Sequence, residues 1–170
     1  MQLKRPILML SLTATIALAG CGLTSNRPAE VDLLSTLSAA DKRAAGDLAT
    51  AVRADVFAVD GDGRMSLVLE VPARVIWNVR LPLHARLRAA VAGNGRLRVG
   101  ASNGRLYQEI GRIDASGSWT PFEMDLREVS ELKWSVFYQP LRMDWQLIFN
   151  ADVTSPGGVI AVDRPTLTKS

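Results

Sequence analysis

Few side chains in this 170-residue chain have the types and spacing that catalysis needs. It holds one histidine and one cysteine. His84 follows Pro82 and Leu83, and no carboxylate or hydroxyl stands beside it in the sequence. A general base or a metal ligand needs such an oriented neighbour, so His84 reads as a surface or structural residue. No Walker loop or dinucleotide fingerprint occurs. Asp60-x-Asp62-Gly63 begins with the spacing of a calcium loop, but Arg64 stands at the third acidic place and no glutamate closes it. A hairpin turn is the simpler reading. Nothing in this inventory points to an enzyme, and no catalytic residue is assigned.

What remains is binding chemistry. The tryptophans Trp77, Trp119, Trp134 and Trp145 could stack on sugar rings. Trp77 and Trp145 share parity with apolar neighbours and are expected in the core. Trp119 and Trp134 lie in less regular stretches and are candidate ligand contacts, with Tyr107 and Tyr138 as rim residues. The arginines are unevenly spread. Residues 64 to 112 hold nine arginines against Glu70 and Glu109, while the segments on either side, 22 to 63 and 113 to 170, are each net −3. The functional expectation is an anionic surface ligand such as an acidic glycan or lipid head group, with Arg86, Arg88, Arg96 and Arg98 as candidate contacts. The simpler expectation is solvent-facing strand positions, paired with carboxylates from the flanking thirds.

The cysteine has its own setting. Met1 to Arg5 is short and basic, and an apolar run from Pro6 to Leu18 follows, broken by Ser11, Thr13 and Thr15. Leu18-Ala19-Gly20-Cys21 closes it. This order matches an export signal, with small residues before the cut. The run is short for a transmembrane helix, which needs about 20 apolar residues. Leu18-Ala19-Gly20-Cys21 resembles the bacterial lipobox. That resemblance implies that the Cys21 thiol is acylated and becomes the new amino terminus, with membrane lipid as its partner. Several acyl chains hold a protein firmly where one does not. Gly22 is not the aspartate associated with inner-membrane retention, so the expected location is the outer membrane, facing the periplasm or the cell surface.

Removing residues 1 to 20 takes Lys4 and Arg5 away, and the 20 basic and 17 acidic side chains become 18 and 17. Such a balance gives no case for nucleic-acid binding. No second cysteine is present, so neither an intramolecular disulfide nor a thiolate metal site can form. A core of ordinary size must hold the domain together.

Those residues need elements to position them. Residues 1 to 20 are read as signal, residues 21 to 52 as a lipidated tether and short helix, and residues 53 to 170 as the folded domain. Within the tether, Ser38 looks like a cap for an alanine-rich helix from Ala39 to about Ala51, although Gly46 interrupts it. From Arg53 onward the pattern alternates. Val75, Trp77, Val79 and Leu81 share one face, Leu87, Ala89 and Val91 another, and Leu97 and Val99 a third. Asp60-Gly61, Asn94-Gly95, Asn103-Gly104 and Ser116-Gly117 punctuate the strands, with Asn94-Gly95 read as a hairpin. Further strands are expected over residues 105 to 113, 119 to 126, 132 to 138, 143 to 150 and 159 to 162. Short strands between turns argue for a single antiparallel all-β sandwich. Arginine on the outward face argues against a lipid-facing barrel.

Several segments also resemble a known family. Val31 to Asp41 has the form VDLL..L..A, Pro72 to Pro82 the form PARV-W-V-LP, and Leu87 to Val91 follows as the next strand. Trp119 with Asp125-Leu126 resembles a W…V.VDL pattern. Val159 to Leu167 resembles the closing strand, but has Ala161-Val162-Asp163 where Trp-Gly-Asn is more usual. Together these are similar to the non-catalytic β-sandwich ahead of the catalytic domain in sulfatase-like lipoproteins and, more broadly, to galactose-binding-like jelly-roll modules. The resemblance implies a jelly-roll sandwich and a glycan ligand, with a structural Ca²⁺ as the only cofactor to consider. The catalytic half of such enzymes has no counterpart here. The function expected is therefore a membrane-anchored binding module for envelope carbohydrate or another polyanion. The alternative is a scaffolding lipoprotein that contacts a separate envelope protein.

Overall fold

Alternation of apolar and polar residues at period two sets the strands, and the turns between them follow from glycine and asparagine. The computed structural model describes residues 30–80, 85–126, 144–152 and 157–169. Ten strands form among them: β1 (Val31–Asp32), β2 (Asp41–Ala44), β3 (Val52–Val59), β4 (Asp62–Glu70), β5 (Ala73–Arg80), β6 (Ala85–Ser102), β7 (Tyr107–Ser116), β8 (Thr120–Asp125), β9 (Asp144–Asp152) and β10 (Val159–Lys169). A 3-10 turn (Leu37–Ala39) and one short helix, α1 (Leu48–Ala51), accompany them. The expected strand over residues 132 to 138 lies outside the described residues. So do Leu18, Ala19, Gly20, Cys21, His84, Trp134 and Tyr138. No helix among the described residues is long and apolar enough to cross a membrane.

β6 organises the architecture. Its 18 residues run unbroken through two sheets. The first half lies between β10 and β8, and the second half between β9 and β7. One sheet therefore reads β3-β4-β10-β6-β8, with β1 beside β10 beyond a bulge after Asp163. The other reads β2-β5-β9-β6-β7. Every pairing is antiparallel, as the all-β sandwich expectation required. Asn94-Gly95 is not a hairpin. The segments flanking it do not pair with each other, because each has a long partner elsewhere. Instead Gly93, at φ 111°, carries the strand from one sheet to the other. A Cβ there would sit 2.0 Å from the carbonyl oxygen of Val159, so only glycine fits. The Asp60-Gly61 turn does close a hairpin. Both residues have positive φ (51° and 82°) and Val59 pairs with Asp62, the geometry of a two-residue type I′ loop.

The core lies between the two sheets. Leu67, Leu69, Leu87, Val91, Ile160 and Val162 enter from the first, and Val75, Trp77, Leu97, Val99, Leu147 and Phe149 from the second. Trp77 meets Phe149 edge-on with ring centroids 5.1 Å apart, and its Nε1 donates to the carbonyl of Leu33 at 3.1 Å. Trp145 is buried as well, packed with Ala101 and Ile110. Both tryptophans expected in the core are there.

Residues 31 to 52 correct the tether-and-helix expectation. β1 pairs with β10, β2 pairs with β5, and Leu33 and Leu37 are buried in the core. Ser38 caps no long helix. The helix is a four-residue turn whose cap is Asp47, which accepts from the amide of Thr50. Local helix propensity, even alanine's, is a weak determinant over so short a stretch, and an unpaired edge of β5 offers Asp41 to Ala44 a ladder of backbone hydrogen bonds instead.

Candidate functional site

The outward face of the β2-β5-β9-β6-β7 sheet gathers the most polar chemistry. Core-facing residues alternate with outward ones, and register places Arg43 opposite Arg74, Arg74 opposite Asn150, Asn150 opposite Arg98, and Arg98 opposite Arg112. These five residues form one row across all five strands. In the next row Ile76 faces Ile148, both buried, and Ile148 is opposite Gly100.

Tyr107 lies across this face. It starts on β7, yet its hydroxyl reaches the Asn150 Nδ2 on β9, 3.5 Å away. The ring must therefore span β6, and it does so over Gly100. A Cβ on Gly100 would stand 2.4 to 2.6 Å from the Cε2, hydroxyl and Cζ of the tyrosine. Glycine supplies the floor and the phenol fills the space a side chain would take. Tyr107 is still 48 % exposed. Asn150 links two groups, because its Oδ1 accepts from Nε of Arg74 while its Nδ2 donates to the phenol oxygen. The phenol proton is thereby left to point elsewhere. Burial, together with the Glu109 carboxylate, pushes the Tyr107 phenol above its ordinary value.

The sequence candidates divide between the two sheets. Arg96 and Arg98 stand on this face. Arg96 pairs with Asp114 at 2.7 Å, and Arg98 with Asp152 and Glu109. Arg112 pairs with Glu109, and this hydrogen bond holds the Glu109 carboxyl below its usual range. Arg86 and Arg88 stand on the outward face of the other sheet, where both bind Glu123 at 2.8 Å. The structure thus does not assemble the four arginines into one patch. Asp114, Glu123 and Asp152 come from the acidic last third of the chain, as the pairing expectation supposed.

Trp119 is also on the other sheet, and one face of its ring is occupied. The Arg64 guanidinium sits 4.9 Å from the ring centroid, Phe57 meets the ring edge-on at 6.2 Å, and Nε1 donates to the carbonyl of Asp62 at 3.2 Å. Arg64 bridges Asp62 and the buried Asp163. This cluster ties the β3-β4 hairpin to the start of β8 and to β10. The Asp62 carboxylate is therefore engaged with arginine. Among the described residues no three His, Cys, Asp or Glu side chains gather closely enough to hold a metal ion.

Arg74, Asn150 and Gly100 were not candidates from sequence. The available signal was Gly100, a glycine inside a regular strand, which marks a close approach of some other group.

No family model and no curated protein matches the chain. Solved structures similar to it include TmCBM61 in complex with β-1,4-galactotriose, at 14 % identity over 79 % of this chain and 90 % of that one, with a TM-score of 0.49. A carbohydrate-binding module of family 29 follows at 15 % identity, 77 % and 90 % coverage, and a TM-score of 0.46. A mutant of a family 29 module complexed with mannohexaose is similar at 14 % identity, 77 % and 94 % coverage, and a TM-score of 0.46.

Proposed function

We propose that this chain is a non-catalytic carbohydrate-binding module, tethered to a membrane through an acylated Cys21, that receives a sugar ring on the exposed face of Tyr107. The observation that carries this reading is the posture of that tyrosine. A tyrosine kept only for packing would turn its ring into the core. Tyr107 instead reaches along the outside of a sheet, over a glycine, with its hydroxyl bonded by Asn150. An amphipathic ring held this way loses little entropy when a ligand stacks on it. Around it stand amide and guanidinium donors suited to sugar hydroxyls.

Calorimetric titration of the full chain in detergent tests the reading, with β-1,4-galactotriose and mannohexaose among the first probes. Saturable binding that Tyr107→Ala abolishes is the expected result. Binding that survives Tyr107→Ala removes this face from the reading, and no binding to any glycan at millimolar concentration defeats it. Anchoring has its own measurement: labelled palmitate should enter the chain but not the Cys21→Ser variant, and the acylated chain should fractionate with the outer membrane. The scaffolding alternative draws on Val56 and Met65, an exposed apolar pair opposite each other on β3 and β4. One stoichiometric envelope protein retained by wild type and lost on Val56→Lys would favour it.

A further inference from the structure

The row Arg43, Arg74, Asn150, Arg98, Arg112 places like charges directly opposite each other twice, Arg43 against Arg74 and Arg98 against Arg112. Like charges so placed on neighbouring strands destabilise a sheet. A face that needed only to be wetted would alternate its charges. Here the carboxylates stand one row to either side. Asp41 takes Arg43, Glu109 takes Arg112, and Asp152 takes Arg98. The guanidinium second in the row differs. Arg74 is exposed, its partner is the neutral amide of Asn150, and among the described residues no carboxylate pairs with it. That amide also holds Tyr107, so a cation with no carboxylate partner among the described residues and a half-exposed tyrosine are joined by one side chain.

We propose that the ligand of this face is a linear acidic glycan lying across the strands, with a carboxylate or sulfate on Arg74 and the neighbouring ring on Tyr107. This rests on the carbohydrate-binding reading above and adds the class and direction of the ligand. Strands spaced by about 4.8 Å make the five-strand row about 19 Å long, room for several sugar rings. Arg43 at one end and Arg112 at the other are both largely exposed, and can turn from their carboxylates toward a chain that extends past the centre. An anion on Arg74 makes charge-assisted hydrogen bonds to a planar donor, the strong class of such bonds. The phenol proton, unused by Asn150, reaches the same sugar.

The test compares oligogalacturonate, a sulfated galactan oligosaccharide and neutral β-1,4-galactotriose, titrated into the full chain in detergent at low and high salt. The acidic chains should bind about tenfold or more tightly than the neutral one at low salt, and salt should erode that advantage. Arg74→Gln should abolish the preference for acidic chains over neutral ones. Arg43→Gln and Arg112→Gln should weaken long acidic chains and spare short ones, which reports the direction even if Arg74→Gln folds poorly. Whichever of the carboxylated and sulfated chains binds better identifies the anion. Equal binding of acidic and neutral sugars, or a preference untouched by Arg74→Gln in a folded variant, overturns the acidic class while Tyr107 keeps its role. If no sugar binds, both readings fall.

Discussion

Replacing Gly100 with alanine should separate binding from stability. The backbone at Gly100 is not in the left-handed region, so alanine meets no conformational barrier there. What it meets is the phenol end of Tyr107, at 2.4 to 2.6 Å, which has to leave. Two effects on stability oppose each other. Alanine in place of glycine within a strand is worth about 0.5 to 1 kcal/mol. Losing the long hydrogen bond from Asn150 costs on the order of 1 kcal/mol. The ring is half exposed already, so its displacement opens no core cavity. Net stability should stay within about 1 kcal/mol of wild type. Binding should not. An interfacial tyrosine anchor is worth about 2 kcal/mol, so affinity should fall about 30-fold. A third readout follows from the phenol, which should titrate above 10.0 in wild type and return toward it in the variant once the ring is freed from burial. Urea unfolding, titration calorimetry and ultraviolet pH titration measure the three. Full affinity in a variant with a normal phenol would refute the platform. A stability loss above about 3 kcal/mol would show instead that Gly100 serves packing.

Other consequences follow from the same geometry. Gly93→Ala should cost about 3 kcal/mol or more, since a Cβ would enter the Val159 carbonyl and φ there is 111°, while Asn94→Ala should be nearly silent; denaturant midpoints compare the two. Trp77→Phe should lose about 2 kcal/mol in the same assay, by removing the buried Nε1 bond to the Leu33 carbonyl, which keeps only the Thr36 hydroxyl, and by leaving a gap beside Phe149. Acid should destabilise the fold in a defined window. Glu123, hydrogen-bonded by Arg88, and Glu109, hydrogen-bonded by Arg112, are held below their ordinary 4.5. Their contribution is complete above that value and is lost as pH falls through the lower folded values, so calorimetric Tm should be level above about pH 5 and decline below about pH 4. Asp55 caps the outward amide of Val56 on β3, which pairs only with β4 among the described residues; Asp55→Val should open that edge and raise self-association in sedimentation.

The sandwich was legible because alternation is a local signal. Val75, Trp77 and Val79, or Leu97 and Val99, announce an inward face without knowledge of any partner strand. Elements failed where the deciding contact was distant. Asn94-Gly95 carries hairpin chemistry, but Gly93 lies against Val159, more than sixty residues away, and that contact converts the turn into a passage between sheets. Asp41 to Ala44 lies in a stretch of helical composition, and only the open edge of β5 makes it a strand. The site is the extreme case. Arg96 and Arg98 were visible as alternate positions along one strand, which is the only direction a sequence displays. The row that matters runs at right angles to it, and joins residues 43, 74, 150, 98 and 112 through four separate registers. Shift any one register by a single residue and its members turn to the core. The inward residues that fix the registers, Val75 against Phe149 and Phe149 against Val99, therefore hold the polar row in place from beneath. In this chain the polar row is specified by the core beneath it, and that is why composition pointed to arginine without pointing to Arg74.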